Sequence, residues 1–178
     1  MKILHLGCGR SRVPKLIPVD ESAEIVTLDA DSSLSPDIVC CLGRNPIALP
    51  DDSMDEAIAV HVLEHIGKQG ETAEWFQFWE EIYRVLKPGG KLKFLSPFWS
   101  AVWAWADPTH TRALSPEALY FFNQANYKIL DSPISPYRIH CDFVSETFQM
   151  IQTVENGPIE HFAGILTARK PLQPWWYS

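Results

Sequence analysis

The chain has 178 residues, 46% of them apolar and 21% charged, which excludes a disordered polypeptide and fits one folded unit. A chain near this size buries ~70% of the surface that its unfolded form exposes. Fifteen Lys and Arg stand against 22 Asp and Glu, a formal net charge of −7, which excludes a sequence-independent grip on bulk nucleic acid.

The opening run, KILHL, reads as a buried strand that stops at Gly7-Cys8-Gly9. It is too short for a signal-peptide core or a membrane span, and no later run approaches ~18 apolar residues. A cytoplasmic protein with no membrane partner is expected. RSRVPKLIPVDE follows with two prolines, so at most one helical turn fits there. Arg10, Arg12 and Lys15 in this stretch read as a solvated loop. EIVTLDAD is a second strand ending in carboxylates, and SSLSP is too short for a full crossover helix. DIVCCL is a third strand; RNPIALPDDSMDE is loop; AIAV is a fourth strand that leads straight into HVLEH, residues 61–65.

Residues 72–87 carry the clearest helical pattern. Trp75, Phe78, Trp79, Ile82, Val85 and Leu86 recur at steps of three and four, with polar residues opposite, and Lys87-Pro88-Gly89-Gly90 ends the helix. KLKFLS is a fifth strand. SPEALYFF, residues 115–122, is a second helix, with Ser115 suited to the N-cap and Pro116 to the first helical position. Two alternating stretches, YRIHCDFVSETFQMI and IEHFAGILTARK, flank Asn156-Gly157 and read as a hairpin. The C-terminal PLQPWWY is expected to dock its aromatics on its own domain or on a second subunit. Cys8, Cys40, Cys41 and Cys141 form no C-x-x-C pair and read as reduced thiols, with Cys40 and Cys41 on opposite faces of a strand.

Strands alternating with helices and loops, then a closing hairpin, predict an α/β protein with a mostly parallel sheet. Ligands of such sheets sit beyond the carboxyl ends of the strands, at the switch point. Gly7 and Gly9 follow the first strand, where glycine lets backbone approach a ligand closely. Asp29 ends the second strand, twenty positions after Gly9, where a carboxylate can accept from both ribose hydroxyls. A dinucleotide site also wants a third glycine and a helix N-terminus for the pyrophosphate. Arg12 occupies the glycine position and the prolines remove the helix, so a nucleoside without phosphates, such as S-adenosylmethionine, fits better.

The chain here resembles the class I S-adenosylmethionine-dependent methyltransferases. ILHLGCG is similar to their first motif and Asp29 to their ribose-binding acid. LPDDSMDEAIAVHVLEHI resembles the segment over their fourth strand, and YRVLKPGGKLKFLSP the helix, turn and fifth strand that follow. ADPTHTRALSPEALYFF, residues 106–122, resembles an extension of some short members. The resemblance implies a Rossmann-like α/β fold: a seven-stranded mostly parallel sheet, a C-terminal antiparallel hairpin and reduced N-terminal helices. It implies one domain over 1–178, with a cofactor-binding half, 1–97, and a substrate-side half, 98–178. It implies that S-adenosylmethionine binds and S-adenosylhomocysteine leaves as product. Cofactor contacts are expected at His5, Gly7, Cys8, Gly9, Asp29, Ala30, Cys41, Leu42 and His61. Two positions depart from the pattern: His5 stands where most members have an acid for the methionine amino group, and Cys41 where an acid meets the adenine.

The substrate side is expected at 96–112, where Trp99, Trp103 and Trp105 wall a flat, apolar or sugar acceptor or serve self-association in a homodimer, with Arg112 beside them. His110 is the expected base and Asp107 its orienting acid; the alternative for this pair is a hydrogen-bonded loop clasp. HVLEH also matches the H-x-x-E-H spacing of one group of zinc peptidases. No third ligand is fixed locally, with Asp107 and His110 only nominees, so no metal is expected and His65 reads as a packed residue bonding backbone. The predicted activity is methyl transfer to an unidentified small molecule, sugar or protein. The rival, prompted by His5 and Cys41, is a cofactor-binding module with an assembly or regulatory role.

Overall fold

The apolar runs become seven strands of one sheet in the computed structural model, which describes residues 1–129, 137–155 and 157–174. The strands are β1 (Lys2–Leu6), β2 (Glu24–Asp29), β3 (Ile38–Val39), β4 (Met54–Val60), β5 (Leu86–Pro97), β6 (Phe143–Ile151) and β7 (His161–Ala168). Their order is β3-β2-β1-β4-β5-β7-β6. Pairing is parallel from β3 through β5 and antiparallel at β5–β7 and β7–β6. The expected sheet and its closing antiparallel pair are both present. The connection between β6 and β7 includes Asn156, which lies outside the described residues. The order reverses between β1 and β4, so the ligand-binding crevice of a doubly wound sheet opens beyond Leu6 and Val60.

The helices are α1 (Ala73–Val85), α2 (Trp103–Ala106), α3 (Pro116–Leu119) and α4 (Gln124–Ile129). Three-residue 3-10 turns cover Ser32–Leu34, Leu63–His65 and Tyr120–Phe122. The stripe of α1 buries Trp75, Phe78, Trp79 and Ile82 against one sheet face, which supplies Leu4, Leu6, Ala57, Ala59, Leu92 and Phe94. Trp79 stacks on Phe122 with ring centroids 4.4 Å apart, which ties the 3-10 turn after α3 to this core. The opposite sheet face carries Ile3, His5 and Ile58, the alternate positions of β1 and β4. Residues 10–23 cross it as a loop, the reduced N-terminal region expected from the prolines. They leave a groove of about 600 Å³ between Leu16, Ile17 and Pro18 and the exposed side of β5, β7 and β6.

Several boundaries differ from expectation. Lys87-Pro88-Gly89-Gly90 ends α1 but also lies within β5. Met54 pairs with Leu86 and Glu56 with Lys91, and the intervening residues bulge. Cys40 and Cys41 follow β3 rather than lying within it, so strand alternation does not place them: Cys40 is buried and Cys41 half-buried. The second helix breaks after Leu119 into a 3-10 turn, and α2 and α4 went unpredicted. Leu172 packs on the core; the tail aromatics Trp175, Trp176 and Tyr177 lie outside the described residues. No helix of the described residues is long and apolar enough to cross a membrane.

Candidate functional site

β1 ends in two residues of left-handed backbone, Gly7 and Gly9, both at φ +55°. A side chain on Gly7 would meet Val62 Cγ2 at 2.6 Å, so the turn can press against the segment after β4 only because the side chain is absent. A side chain on Gly9 would meet nothing within 4 Å. The backbone there borders open space. Cys8 N–H donates to Leu28 O at 3.1 Å, and Gly9 N–H donates to Asp29 Oδ2 at 2.8 Å. Asp31 N–H reaches the other oxygen, Oδ1, at 3.0 Å. Asp29 is thereby fixed at the crevice, and a carboxylate has lone pairs beyond these two bonds.

The remaining cofactor-side residues take different places. His5 is 4% exposed, and its Nδ1–H donates to Arg12 O at 3.1 Å, which holds the loop over the sheet. Burial pushes its pKa down, against the opposing pull of the Arg12 carbonyl and the charge of Asp29. Cys8 is buried, and burial followed by Asp29 pushes its thiol up, away from the reactive thiolate. Ala30 is exposed beside Asp29; Cys41 and Leu42 are half-buried. All four cysteines are free thiols, as expected.

Beyond β4 the backbone turns at His61, a non-glycine residue at φ +54°. Strained geometry of this kind, about 1–3 kcal/mol, collects at functional sites. His61 N–H is anchored to Leu95 O at 2.8 Å, and its Nδ1–H donates to Glu64 Oε1 at 3.1 Å. Glu64 is 1% exposed; its other oxygen accepts from Ser96 Oγ, at 3.1 Å. The His61 ring packs edge-on against His161 of β7, with centroids 5.2 Å apart. Burial, then the neighbouring His61, lowers the pKa of His161.

The 96–112 segment closes over this group. Thr111 and Arg112 N–H donate to Glu64 O at 2.9 and 3.1 Å. His110 Nδ1–H donates to Trp103 O at 2.8 Å, and its side chain is 8% exposed. The other nitrogen, Nε2, lies 4.0 Å from Glu64 Oε1 and 3.8 Å from Asp107 Oδ2. Asp107 Oδ1 accepts from Thr109 Oγ1 and N–H at 2.6 and 2.8 Å. Those bonds, the Thr109 hydroxyl first, hold its carboxyl below the usual range. The orientation of His110 is therefore set by the Trp103 carbonyl, and Asp107 stands at the far nitrogen. Trp99, Trp103 and Trp105 are all more than half exposed, and Trp105 Nε1–H donates to Trp99 O at 2.8 Å.

Arg112, expected at the substrate wall, donates to Ile66 O, Lys68 O and Glu71 O at 3.1, 2.8 and 2.9 Å, while its guanidinium lies over the Trp75 ring. Burial lowers its pKa, and its work is to hold the loop before α1. His65 bonds backbone as expected, Nδ1–H to Thr109 O at 3.1 Å, yet it is exposed and its ring meets His110 edge-on at 4.8 Å. No site role is expected from the sequence for Glu64, Ser96 or His161 individually. The only signal for Glu64 was its place inside H-x-x-E-H at a strand end.

The chain matches the model of a protein family described as "Methyltransferase domain" over residues 4–94. It is 28% identical over 143 residues to a probable S-adenosylmethionine-dependent methyltransferase of Mycolicibacterium smegmatis. The match takes in 73% of this chain and 53% of that protein, so the chain spans about half the length of the curated relative. Among solved structures it is similar to a SAM-dependent methyltransferase from Methanosarcina mazei, with TM-score 0.59 and 16% identity over 94% of this chain and 92% of that one. It is similar also to a Burkholderia thailandensis 1,6-didemethyltoxoflavin-N1-methyltransferase solved with its substrate and S-adenosylhomocysteine, with TM-score 0.55 and 11% identity, covering 95% and 71%.

Proposed function

We propose that this chain, which belongs to the methyltransferase domain family, transfers the methyl group of S-adenosylmethionine to a small-molecule, sugar or protein acceptor. The observation that carries the reading is the pairing of Gly9 N–H with the Asp29 carboxylate beside open space at the switch point. The residues fit an adenosyl ligand. Asp29 has acceptor capacity left for ribose hydroxyls, and among the described residues no helix follows β1 to offer its N-terminus to a pyrophosphate. Bound there, the cofactor supplies a methyl group on a positively charged sulfur. Ala30, Cys41 and Leu42 would flank the adenosyl group. His5, already bonded to Arg12, contributes by holding the loop.

On the acceptor side, His61, Glu64 and His110 cluster after β4 and within 96–112. Because Nδ1–H of His110 is held by a carbonyl, Nε2 of the neutral ring is the proton-accepting nitrogen. It would take the proton of an acceptor hydroxyl or amine as the methyl group is transferred. Trp99, Trp103 and Trp105 offer an apolar and aromatic wall for that acceptor. The net charge of −7 favours these acceptors over bulk nucleic acid.

The test is turnover of S-adenosylmethionine to S-adenosylhomocysteine against an acceptor panel, with calorimetry on the same preparations. H110A is expected to lose turnover and to keep cofactor affinity within about threefold. Loss of both together would remove His110 from the proton-transfer role. Cofactor binding without turnover on any acceptor would favour the binding-module reading.

A further inference from the structure

We propose that Glu64, His65 and His110 form a binding site for a first-row divalent transition-metal ion on the acceptor side of the crevice. Glu64 Oε, one nitrogen of His65 and one of His110 lie within 4.8 Å of one another, although His110 is 45 residues from His65. Each imidazole has its Nδ1–H committed to a backbone carbonyl, His65 to Thr109 O and His110 to Trp103 O. That is how metal-binding histidines are held, one nitrogen oriented by a hydrogen bond and the other left with its lone pair for the ion. One nitrogen of each converges with a carboxylate that is 1% exposed and, among the described residues, accepts from His61 and Ser96.

His110 Nε2 stands 4.0 Å from Glu64 Oε1, which accepts from His61 Nδ1–H, and 3.8 Å from Asp107 Oδ2. A cation resolves the convergence. Ligand atoms around a tetrahedral ion with bonds of ~2.1 Å stand about 3.4 Å apart, so closure needs movements of about an ångström, within reach of exposed His65.

The donor set selects the ion. Two imidazoles and one carboxylate suit zinc, cobalt, nickel or iron, whereas magnesium and calcium ask for oxygen ligands. Three protein ligands leave positions open, as in catalytic rather than structural sites. Asp107 Oδ2, 3.8 Å from His110 Nε2, is placed to join as a fourth ligand or to accept from a bound water. The site deepens the proposed function, and rests on it only in this: an oxygen of the acceptor would take an open position and be polarised by the ion. Ion and proton are alternative occupants of His110 Nε2: with the ion bound that nitrogen would be a ligand, and the proton of the acidified acceptor oxygen would pass to Asp107 Oδ2 instead.

The experiment is a titration of the full chain, freed of metal by chelation, with cobalt(II) chloride in the absence of cofactor, read by visible absorption. Ligand-field bands saturating at one equivalent are expected, with affinity at least tenfold lower in both H65Q and H110Q. Each variant is checked for native circular dichroism, and exposed His65 makes H65Q the substitution safest for the fold. An absence of saturable bands, or bands unchanged in both variants, would overturn the site. The readout needs no methyl donor, so its failure is distinct from failure of adenosyl binding.

Discussion

Gly7 and Gly9 share φ +55° but border different neighbours, and this separates folding from ligand binding within one turn. In Gly7→Ala the new methyl group suffers the left-handed backbone, about 1–2 kcal/mol. It also meets Val62 Cγ2 at 2.6 Å, and Val62 is only 6% exposed, so its surroundings must yield. Overpacking of this kind adds about 1–3 kcal/mol. In Gly9→Ala the backbone penalty of ~1–2 kcal/mol stands alone, since nothing lies within 4 Å. The methyl group instead intrudes on the space beside Asp29. Urea denaturation should therefore show a loss of about 2–5 kcal/mol for G7A and less than half of that for G9A. Calorimetry should show the larger loss of S-adenosylhomocysteine affinity for G9A. In a double-mutant cycle, V62A should recover about 1–2 kcal/mol of the G7A penalty. Equal stability losses for the two alanine variants, or no coupling between G7A and V62A, would refute the assignment of the turn's two glycines.

Other consequences follow from buried charge and titration. Arg169 binds Asp142 through Nε and a terminal nitrogen at 2.7 and 2.8 Å, and Asp142 is 1% exposed. Breaking a fully buried pair removes ~3–5 kcal/mol. The Arg169 side chain is 44% exposed, so water can replace it, and R169A should lose only about 2–3 kcal/mol in urea denaturation. His5 is buried with its pKa lowered, so the unfolded chain binds the proton more readily. Its contribution to stability is complete above about pH 6.5 and declines as pH falls below it, by at most ~1.4 kcal/mol per pH unit until the folded pKa is passed. H5Q should flatten that part of the stability curve; an unchanged slope would place the titration elsewhere. Asp29→Asn should weaken S-adenosylhomocysteine binding by about tenfold to a hundredfold, the worth of charge-assisted hydrogen bonds. An unaltered affinity in titration calorimetry would remove Asp29 from the ribose contact.

Much of the scaffold was legible because it rests on local pattern. The Trp75–Ile82 stripe announces α1, and the Gly7-Cys8-Gly9 break after KILHL announces the turn at the crevice. Lys87–Gly90 misled because the residues that end a helix are also those that form a bulge, and only the partner strand distinguishes the two. α2 and α4 are four and six residues long, too short for a helical period to register. The cluster after β4 was the least legible part. The Glu64 carboxylate meets Ser96 and its backbone carbonyl meets the amides of Thr111 and Arg112, contacts that arise only when β5 and the 107–112 loop fold over it. Arg112 looked available beside the DPTH segment, but the carbonyls that capture it lie 41 to 46 residues earlier.

The central claim is that the Gly7–Gly9 turn and Asp29 enclose an adenosyl group without phosphates. Titration calorimetry of the wild-type chain with S-adenosylhomocysteine, and in parallel with NAD, tests it directly. One saturable site for S-adenosylhomocysteine and none for NAD is the predicted result. Saturable binding of NAD alone, or no heat with either S-adenosylhomocysteine or S-adenosylmethionine, would contradict it.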